Sequence, residues 1–284
     1  MTMLYISDET IDRWIKEDVP YIDLTTLTLG IGGVKGKISF TAREYTVLSG
    51  VEEVLRIFAK LGITQIIRSL PSGSVVNKGD IFIEAEGLAS SLHMAWKVSM
   101  NILEYSSGIA TRTKKMVDKA KLVNPHVTVL ATRKSFPGTK ELAIKSIIAG
   151  GAFPHRLGLS ETILIFKQHV AFLGDIHNLA QVIKEIKADA CEKKIIVEVE
   201  TLEDARLLIE SGVDGLQFDK IPTNDLKIIV DQIRSLNPNI TLLGAGGINE
   251  GNIEEYARSG IDAIVTTSMY FGKPSDIGVK MEKY

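Results

Sequence analysis

The sequence predicts an α/β protein in two parts, a mixed N-terminal region followed by a regular succession of parallel βα units. Three observations predict it. Short apolar, β-branched runs recur at residues 127–131, 162–166, 194–199, 215–218, 240–243 and 263–265, the pattern of strands buried on both faces. Helical stretches fit between the later ones, at 178–191, 202–211, 223–235 and 249–259, and strands alternating with helices of that length form parallel βαβ units. The chain has 284 residues, 45% hydrophobic and 24% charged, enough to bury one large core or two smaller ones. The number of units favours a closed barrel over an open sheet.

The N-terminal elements follow in order. Residues 8–17 carry helical spacing (Ile11, Trp14, Ile15) behind a Ser/Asp start signal. Residues 37–42 alternate as a half-buried strand does, and 51–61 form an amphipathic helix closed by Gly62. Turns at Ser72-Gly73 and at Lys78-Gly79-Asp80 flank strands that include 81–85. Residues 88–122 read as largely helical, with Gly108 as an expected interruption. A helix glycine costs about 1 kcal/mol against alanine, so close packing or a kink accounts for it.

Composition excludes several classes. A net charge of -2 offers no basic surface for nucleic acid. The single cysteine, Cys191, excludes an intramolecular disulfide framework and fits a reducing compartment. The N-terminus acquires acidic residues too early for a secretory signal, and no apolar run approaches membrane-spanning length. A cytoplasmic protein is expected.

The chemistry centres on residues 127–156. The first barrel strand emerges onto Thr132-Arg133-Lys134; the turn Ser135-Phe136-Pro137-Gly138, a helix over 139–148 and Gly150-Gly151 then lead to His155-Arg156. Two basic pairs at the openings of successive units make an anion site, Arg supplying a fixed fork and Lys a mobile point charge. In a parallel barrel the site lies at the carboxyl ends of the strands. There, residues 195–199 place Glu198 among apolar neighbours, and the next strand ends on Phe218-Asp219-Lys220. Acids on neighbouring strand ends suit a divalent metal on a polyphosphate, or stabilisation of positive charge developing at a sugar carbon. The alternative is that either acid simply pairs with Arg133, Arg156 or Lys220. Gly244-Ala245-Gly246-Gly247 follows the penultimate strand and opens the helix expected at Asn249, the place where backbone N–H groups meet a phosphate. The histidines show no metal spacing; His155 is a candidate ligand contact, whereas His169 and His177 read as structural or exposed. No serine or cysteine nucleophile is evident. A Schiff-base lysine at Lys134 or Lys167 keeps a barrel lyase as an alternative.

Together these residues resemble the quinolinate phosphoribosyltransferase family, the nicotinate-nucleotide pyrophosphorylases (carboxylating). The match is collinear over nearly the whole chain: Asp23-Leu24-Thr25-Thr26, Ser107-Gly108-Ile109-Ala110-Thr111, Thr132-Arg133-Lys134 with Pro137-Gly138, His155-Arg156, Val197-Glu198-Val199 and Gly246-Gly247-Ile248. The resemblance implies an N-terminal α/β sandwich domain (1–107), an α/β barrel (108–268) and a tail (269–284) packing back on the first domain. It implies a homodimer or higher assembly with a shared site, and transfer of phosphoribose from phosphoribosyl pyrophosphate to a pyridine dicarboxylate nitrogen, with Mg²⁺, loss of pyrophosphate and decarboxylation. By that likeness Lys97, Thr132, Arg133, Lys134, His155, Arg156, Phe166 and Lys220 would face the substrates. Ala245, Gly246, Gly247 and Thr267 would hold phosphate. Glu198 and Asp219 would serve catalysis and Mg²⁺, the metal bound directly or through water, with Lys134 assisting departure of pyrophosphate.

The departures from the family pattern are specific. Lys97 stands where the family has arginine, so a bidentate carboxylate clamp is lost. Phe166 replaces a lysine, Lys167-Gln168 an Asp-Asn, Asp219-Lys220 another Asp-Asn, Ala245 a serine and Thr267 a glycine. With residues 160–169, these variants resemble the ModD-type subgroup, a pyrophosphorylase by name that is associated with molybdenum-transport operons. The expectation is phosphoribosyl transfer to a nitrogen heteroaromatic acid with fewer or differently placed carboxylates than quinolinate. Alternatives are a non-catalytic nucleotide or oxyanion receptor linked to molybdate transport, and the barrel lyase.

Overall fold

The structure is a computed structural model that describes residues 4–284. Its contacts divide the chain into two compact units. Among the described residues, the first comprises 4–114, 136–151 and 270–284; the second comprises 115–135 and 152–269.

In the first unit a four-stranded antiparallel sheet runs in the order Ile277–Lys283, Lys35–Ala42, Ile81–Leu88, Gln65–Ser69. Phe40, on one of the two central strands, lies with its ring centroid 6.2 Å from Phe58 of the helix Val51–Lys60 and 6.5 Å from Phe82 of the other central strand. All three are fully buried, each contributing roughly 1.5–3 kcal/mol by leaving water. Ser7 caps the helix Asp8–Asp18 by accepting from Thr10 N at 3.1 Å, as its sequence signal predicts. Asp23 does the same for the short helix Leu24–Thr28 through Thr26 N at 3.0 Å.

The helix Ala89–Val123 is continuous over 35 residues, without the interruption expected at Gly108. A Cβ there would lie 2.9 Å from the Lys273 carbonyl oxygen and 3.1 Å from Ser275 N. Close packing, not a kink, accounts for this glycine.

The second unit is a sheet of seven parallel strands, in the order Phe153–Pro154, Thr128–Ala131, Ala263–Thr266, Thr241–Ala245, Gly215–Asp219, Ile195–Val199, Ile163–Ile165. The expected closure is incomplete. The two end strands are consecutive in the chain yet share no ladder. The first of them has two residues, one a proline without a donor. The unit is therefore an open α/β barrel. Its interior packs Leu164, Ile196, Leu243, Ala245, Ala263 and Val265, with Leu130 and Phe166 against them. Flanking helices Ile176–Asp189, Leu202–Ser211 and Thr223–Leu236 lie within a few residues of their expected limits. A seven-residue helix, Lys167–Leu173, was not expected. The helix expected from Asn249 begins instead at Ile253 and has six residues.

Candidate active site

Every predicted barrel-site residue reaches one cavity of about 490 Å³ at the carboxyl ends of the strands, lined by Thr132, Arg133, Lys134, His155, Arg156, Phe166, Glu198, Asp219, Lys220, Ala245, Gly246, Gly247 and Thr267. Lys97 does not line it. It lies on the long helix of the first unit, its Nζ 4.6 Å from the Trp96 ring centroid.

The basic side begins where Thr128–Ala131 ends. Thr132 Oγ1 meets Thr267 Oγ1 at 2.9 Å and accepts from Lys134 N at 3.2 Å, so one hydroxyl sets the turn that carries Arg133 and Lys134. His155 N donates to Ala131 O at 2.9 Å, bringing the second basic pair alongside the first. Arg156 is nearly buried. Burial first, and the neighbouring Arg133 second, lower its affinity for a proton. His155 is pushed down to about 4, by burial first and by Arg156 second. It is therefore neutral at pH 7, and its buried Nε2 has no hydrogen-bond partner.

Phe166 forms one wall. Its ring stacks on His169 (centroids 5.8 Å apart, 20° between planes) and lies 5.8 Å from the Arg156 guanidinium carbon. His169 Nδ1 accepts from Phe166 N at 3.0 Å, the structural role its sequence position suggests.

The acidic side comes from adjacent strands. In their register Glu198 pairs with Gln217 and Val199 with Phe218, which leaves Asp219 one step further toward the rim. Burial, then the nearby Asp219 charge, raises the Glu198 carboxyl above its ordinary value. Among the described residues neither acid forms a salt bridge with Arg133 or Arg156. Asp219 Oδ2 stands 3.8 Å from Lys220 Nζ. Of the pairings with Arg133, Arg156 or Lys220 that the sequence left open, the one between Asp219 and Lys220 is realised and those with the arginines are not.

Sequence reasoning missed Gln217. This residue is 4% exposed, lines the same cavity and donates Nε2–H to Glu198 Oε2 at 3.2 Å, while its buried Oε1 has no partner. The signal was present: Gln217 is the polar residue of an otherwise apolar run and lies two before Asp219, on the same face.

The glycine turn departs from its expected helix-terminal setting. Residues 246–252 form a turn before Ile253–Arg258. Gly246 and Gly247 both have positive φ, 86° and 72°, and the Gly247 carbonyl is held by the Asn249 and Asn252 side-chain amides at 3.1 and 3.3 Å. Successive backbone N–H groups in such a bend form a concave anion cradle without a helix dipole. Lys167, the other Schiff-base candidate, lies outside the cavity. It pairs with Glu200 at 3.1 Å, which raises its proton affinity, the opposite of what an amine nucleophile needs.

Two family models match in succession: the quinolinate phosphoribosyl transferase N-terminal domain over residues 23–107 and its C-terminal domain over 109–280. The chain belongs to the quinolinate phosphoribosyl transferase family. As a member it is a pentosyltransferase, and the cavity is where its basic and acidic residues converge. The transferase is 36% identical over 281 residues to the "Putative pyrophosphorylase ModD" of Pasteurella multocida, covering 99% of both chains. It is 33% identical to the "Probable nicotinate-nucleotide pyrophosphorylase [carboxylating]" of Methanocaldococcus jannaschii, covering 88% of each. Among solved structures it is similar to NadC from Streptococcus pyogenes, with a TM-score of 0.88, 26% identity, and 98% and 96% of the two chains covered. No helix among the described residues is long and apolar enough to cross a membrane.

Proposed function

We propose that this transferase moves phosphoribose from phosphoribosyl pyrophosphate onto the ring nitrogen of a heteroaromatic acid that carries fewer carboxylates than quinolinate, or differently placed ones, releasing pyrophosphate. The observation that carries this reading is the cavity's division into a cationic side (Arg133, Lys134, Arg156) and an acidic side (Glu198, Asp219) around an aromatic wall, Phe166. The cationic side suits the anionic oxygens of donor and acceptor. A neutral His155 adds a hydrogen-bonding group without further charge. Phe166 offers a flat face to a ring where a lysine would have offered charge.

The same division suits a dissociative transfer. The ribose carbon gains positive charge as pyrophosphate leaves, and Glu198 and Asp219 stabilise it through space. Lys134 balances charge on the departing oxygens. Two carboxylates on adjacent strands facing one cavity fit Mg²⁺, which binds through one or two protein carboxylates and completes its shell with water and substrate phosphates. When bound there by Glu198 and Asp219, directly or through water, it would neutralise the pyrophosphate. The Gly246-Gly247 bend and Thr267 cradle the 5′-phosphate. Lys97, on the first unit, serves the site of a second copy in a homodimer, and the reaction includes decarboxylation where the acceptor carries a carboxylate beside the ring nitrogen.

Pyrophosphate release from phosphoribosyl pyrophosphate and Mg²⁺ tests this across quinolinate and related heteroaromatic acids, with Asp219→Ala as control. Release that depends on Asp219 and is faster with another acid than with quinolinate is expected. Turnover of quinolinate as fast as any other acceptor overturns the acceptor assignment, and no release with any acid overturns the transfer itself.

A further inference from the structure

Among the described residues Lys220 is the one non-glycine residue at positive φ, 60°. This left-handed conformation is disfavoured for a residue with a Cβ, and glycine or asparagine tolerates it far better. A lysine kept there calls for a reason, and strained backbone of this kind clusters at ligand sites.

The surrounding structure fixes the strain. Lys220 N donates to Ala245 O at 2.8 Å, so the residue just past the Asp219 strand is tied to the end of the neighbouring strand. Gly246 closes over it: a Cβ at 246 would fall 2.6 Å from Lys220 N and would also collide with Lys220 Cγ. Those contacts hold the backbone but need no lysine side chain. Packing does not explain the lysine, because its side chain is 78% exposed. Pairing does not either, because Asp219 is 3.8 Å away and exposed pairs contribute little. Yet Lys220 lines the same cavity as Arg133 and Arg156, from the end of a strand that does not neighbour theirs. Its ammonium is the cation on the acidic side of a site otherwise basic on the other flank.

We propose that Lys220 is a specificity-determining residue that binds an anionic oxygen group of a substrate, a carboxylate of the acceptor or the diphosphate of the donor, and that the strained backbone is retained to aim that charge. The proposal rests on the transferase reading above and assigns to this residue the charge absent at Phe166. Because Lys220 lies beyond the strand end, it reaches the cavity although it follows inward-facing Asp219 directly in sequence.

The test is Lys220→Asn in the full chain, with Lys220→Gly as a second variant, since both residues accept the left-handed backbone. Thermal unfolding and calorimetric binding of three probes are measured: inorganic diphosphate with Mg²⁺, phosphoribosyl pyrophosphate with Mg²⁺, and quinolinate. Both variants are expected to melt at or above the wild-type temperature while losing at least tenfold in affinity for one class of probe. Loss confined to diphosphate and phosphoribosyl pyrophosphate assigns Lys220 to the donor; loss confined to quinolinate assigns it to the acceptor. Wild-type affinities retained by both variants overturn this proposal alone. A wild-type protein that binds none of the probes overturns the transferase reading and this proposal together.

Discussion

Gln217 Nε2 donates to Glu198 Oε2 across 3.2 Å, joining the floor of the cavity between two adjacent strands. The Glu198 carboxyl is half-buried and already pushed toward protonation, by burial and by Asp219. The amide hydrogen bond works against both.

Replacing Gln217 with leucine removes that donor together with the buried Oε1 that lacks a partner. A hydrogen bond to a charged group contributes about 1.5–3 kcal/mol, so kcat/KM is expected to fall roughly 10- to 100-fold. The melting temperature should change little, because an unsatisfied buried oxygen leaves with the lost bond. Steady-state kinetics beside thermal unfolding check this. A large drop in melting temperature with unchanged kcat/KM would make Gln217 a packing residue only.

Adjacent glycines should respond differently to alanine. At Gly246 the new Cβ meets the Lys220 backbone and the Asp219 carboxylate, and φ is 86°. At Gly247 φ is 72° but nothing lies within 4 Å. Gly247→Ala carries only the backbone strain, about 1–3 kcal/mol. Gly246→Ala must in addition move the Asp219-Lys220 turn, so its activity loss should exceed that of Gly247→Ala by at least about tenfold, since small displacements of positioned groups cost that much or more. Equal activities in the two variants would mean that the two strand ends are not interlocked.

How far these features could be read in advance depends on whether their causes are local. The βα alternation from residue 127 follows from apolar periodicity, and it placed Glu198 and Asp219 on adjacent strands correctly. The convergence of Arg133, Lys134, His155 and Arg156 followed from the rule for strand ends. Gln217 could be placed on the Asp219 face from its spacing, but its partner Glu198 lies on the neighbouring strand, and the pairing depends on the register between the two. The helix expected at Asn249 failed because two asparagines fold their amides back on the Gly247 carbonyl, and such local bonds compete with helix formation. Gly108 looked like a helix breaker, but the segment 273–275 that packs on it is more than 160 residues away in the chain. The strain at Lys220 is a conformational fact that composition does not encode.

Lys145 anchors the first unit. It is 3% exposed, with Nζ 2.7 Å from Glu52 Oε2 and a second ion pair to buried Glu53. Burial alone would raise the Glu52 carboxyl, but hydrogen bonds from Lys145 and Ser72 outweigh it and hold it at about 2. Lys145→Met leaves two carboxylates without their cation, and breaking a buried pair costs about 3–5 kcal/mol. A loss of that size in urea unfolding at pH 7 is expected. A loss below about 1 kcal/mol would mean that the site relaxes to admit water.

His155 should give the protein an acid-sensitive stability. Its pKa is about 4 in the folded chain, against about 6.5 when unfolded. As pH falls below 6.5 the unfolded chain takes up a proton at this residue and the folded chain does not, until pH approaches 4. The folded state therefore keeps its full advantage above pH 6.5 and loses it progressively between 6.5 and 4. Glutamine at 155 keeps hydrogen-bonding groups but cannot titrate. Relative to wild type, His155→Gln should gain stability on acidification, with the difference in melting temperature moving in its favour by roughly 2–4 °C between pH 7.5 and pH 4.5. Melting curves of both proteins at the two pH values decide it. A wild-type-to-variant difference that stays constant would mean that His155 gains its proton in the folded cavity as easily as in water, and the lowering of its proton affinity by burial and Arg156 would have to be abandoned.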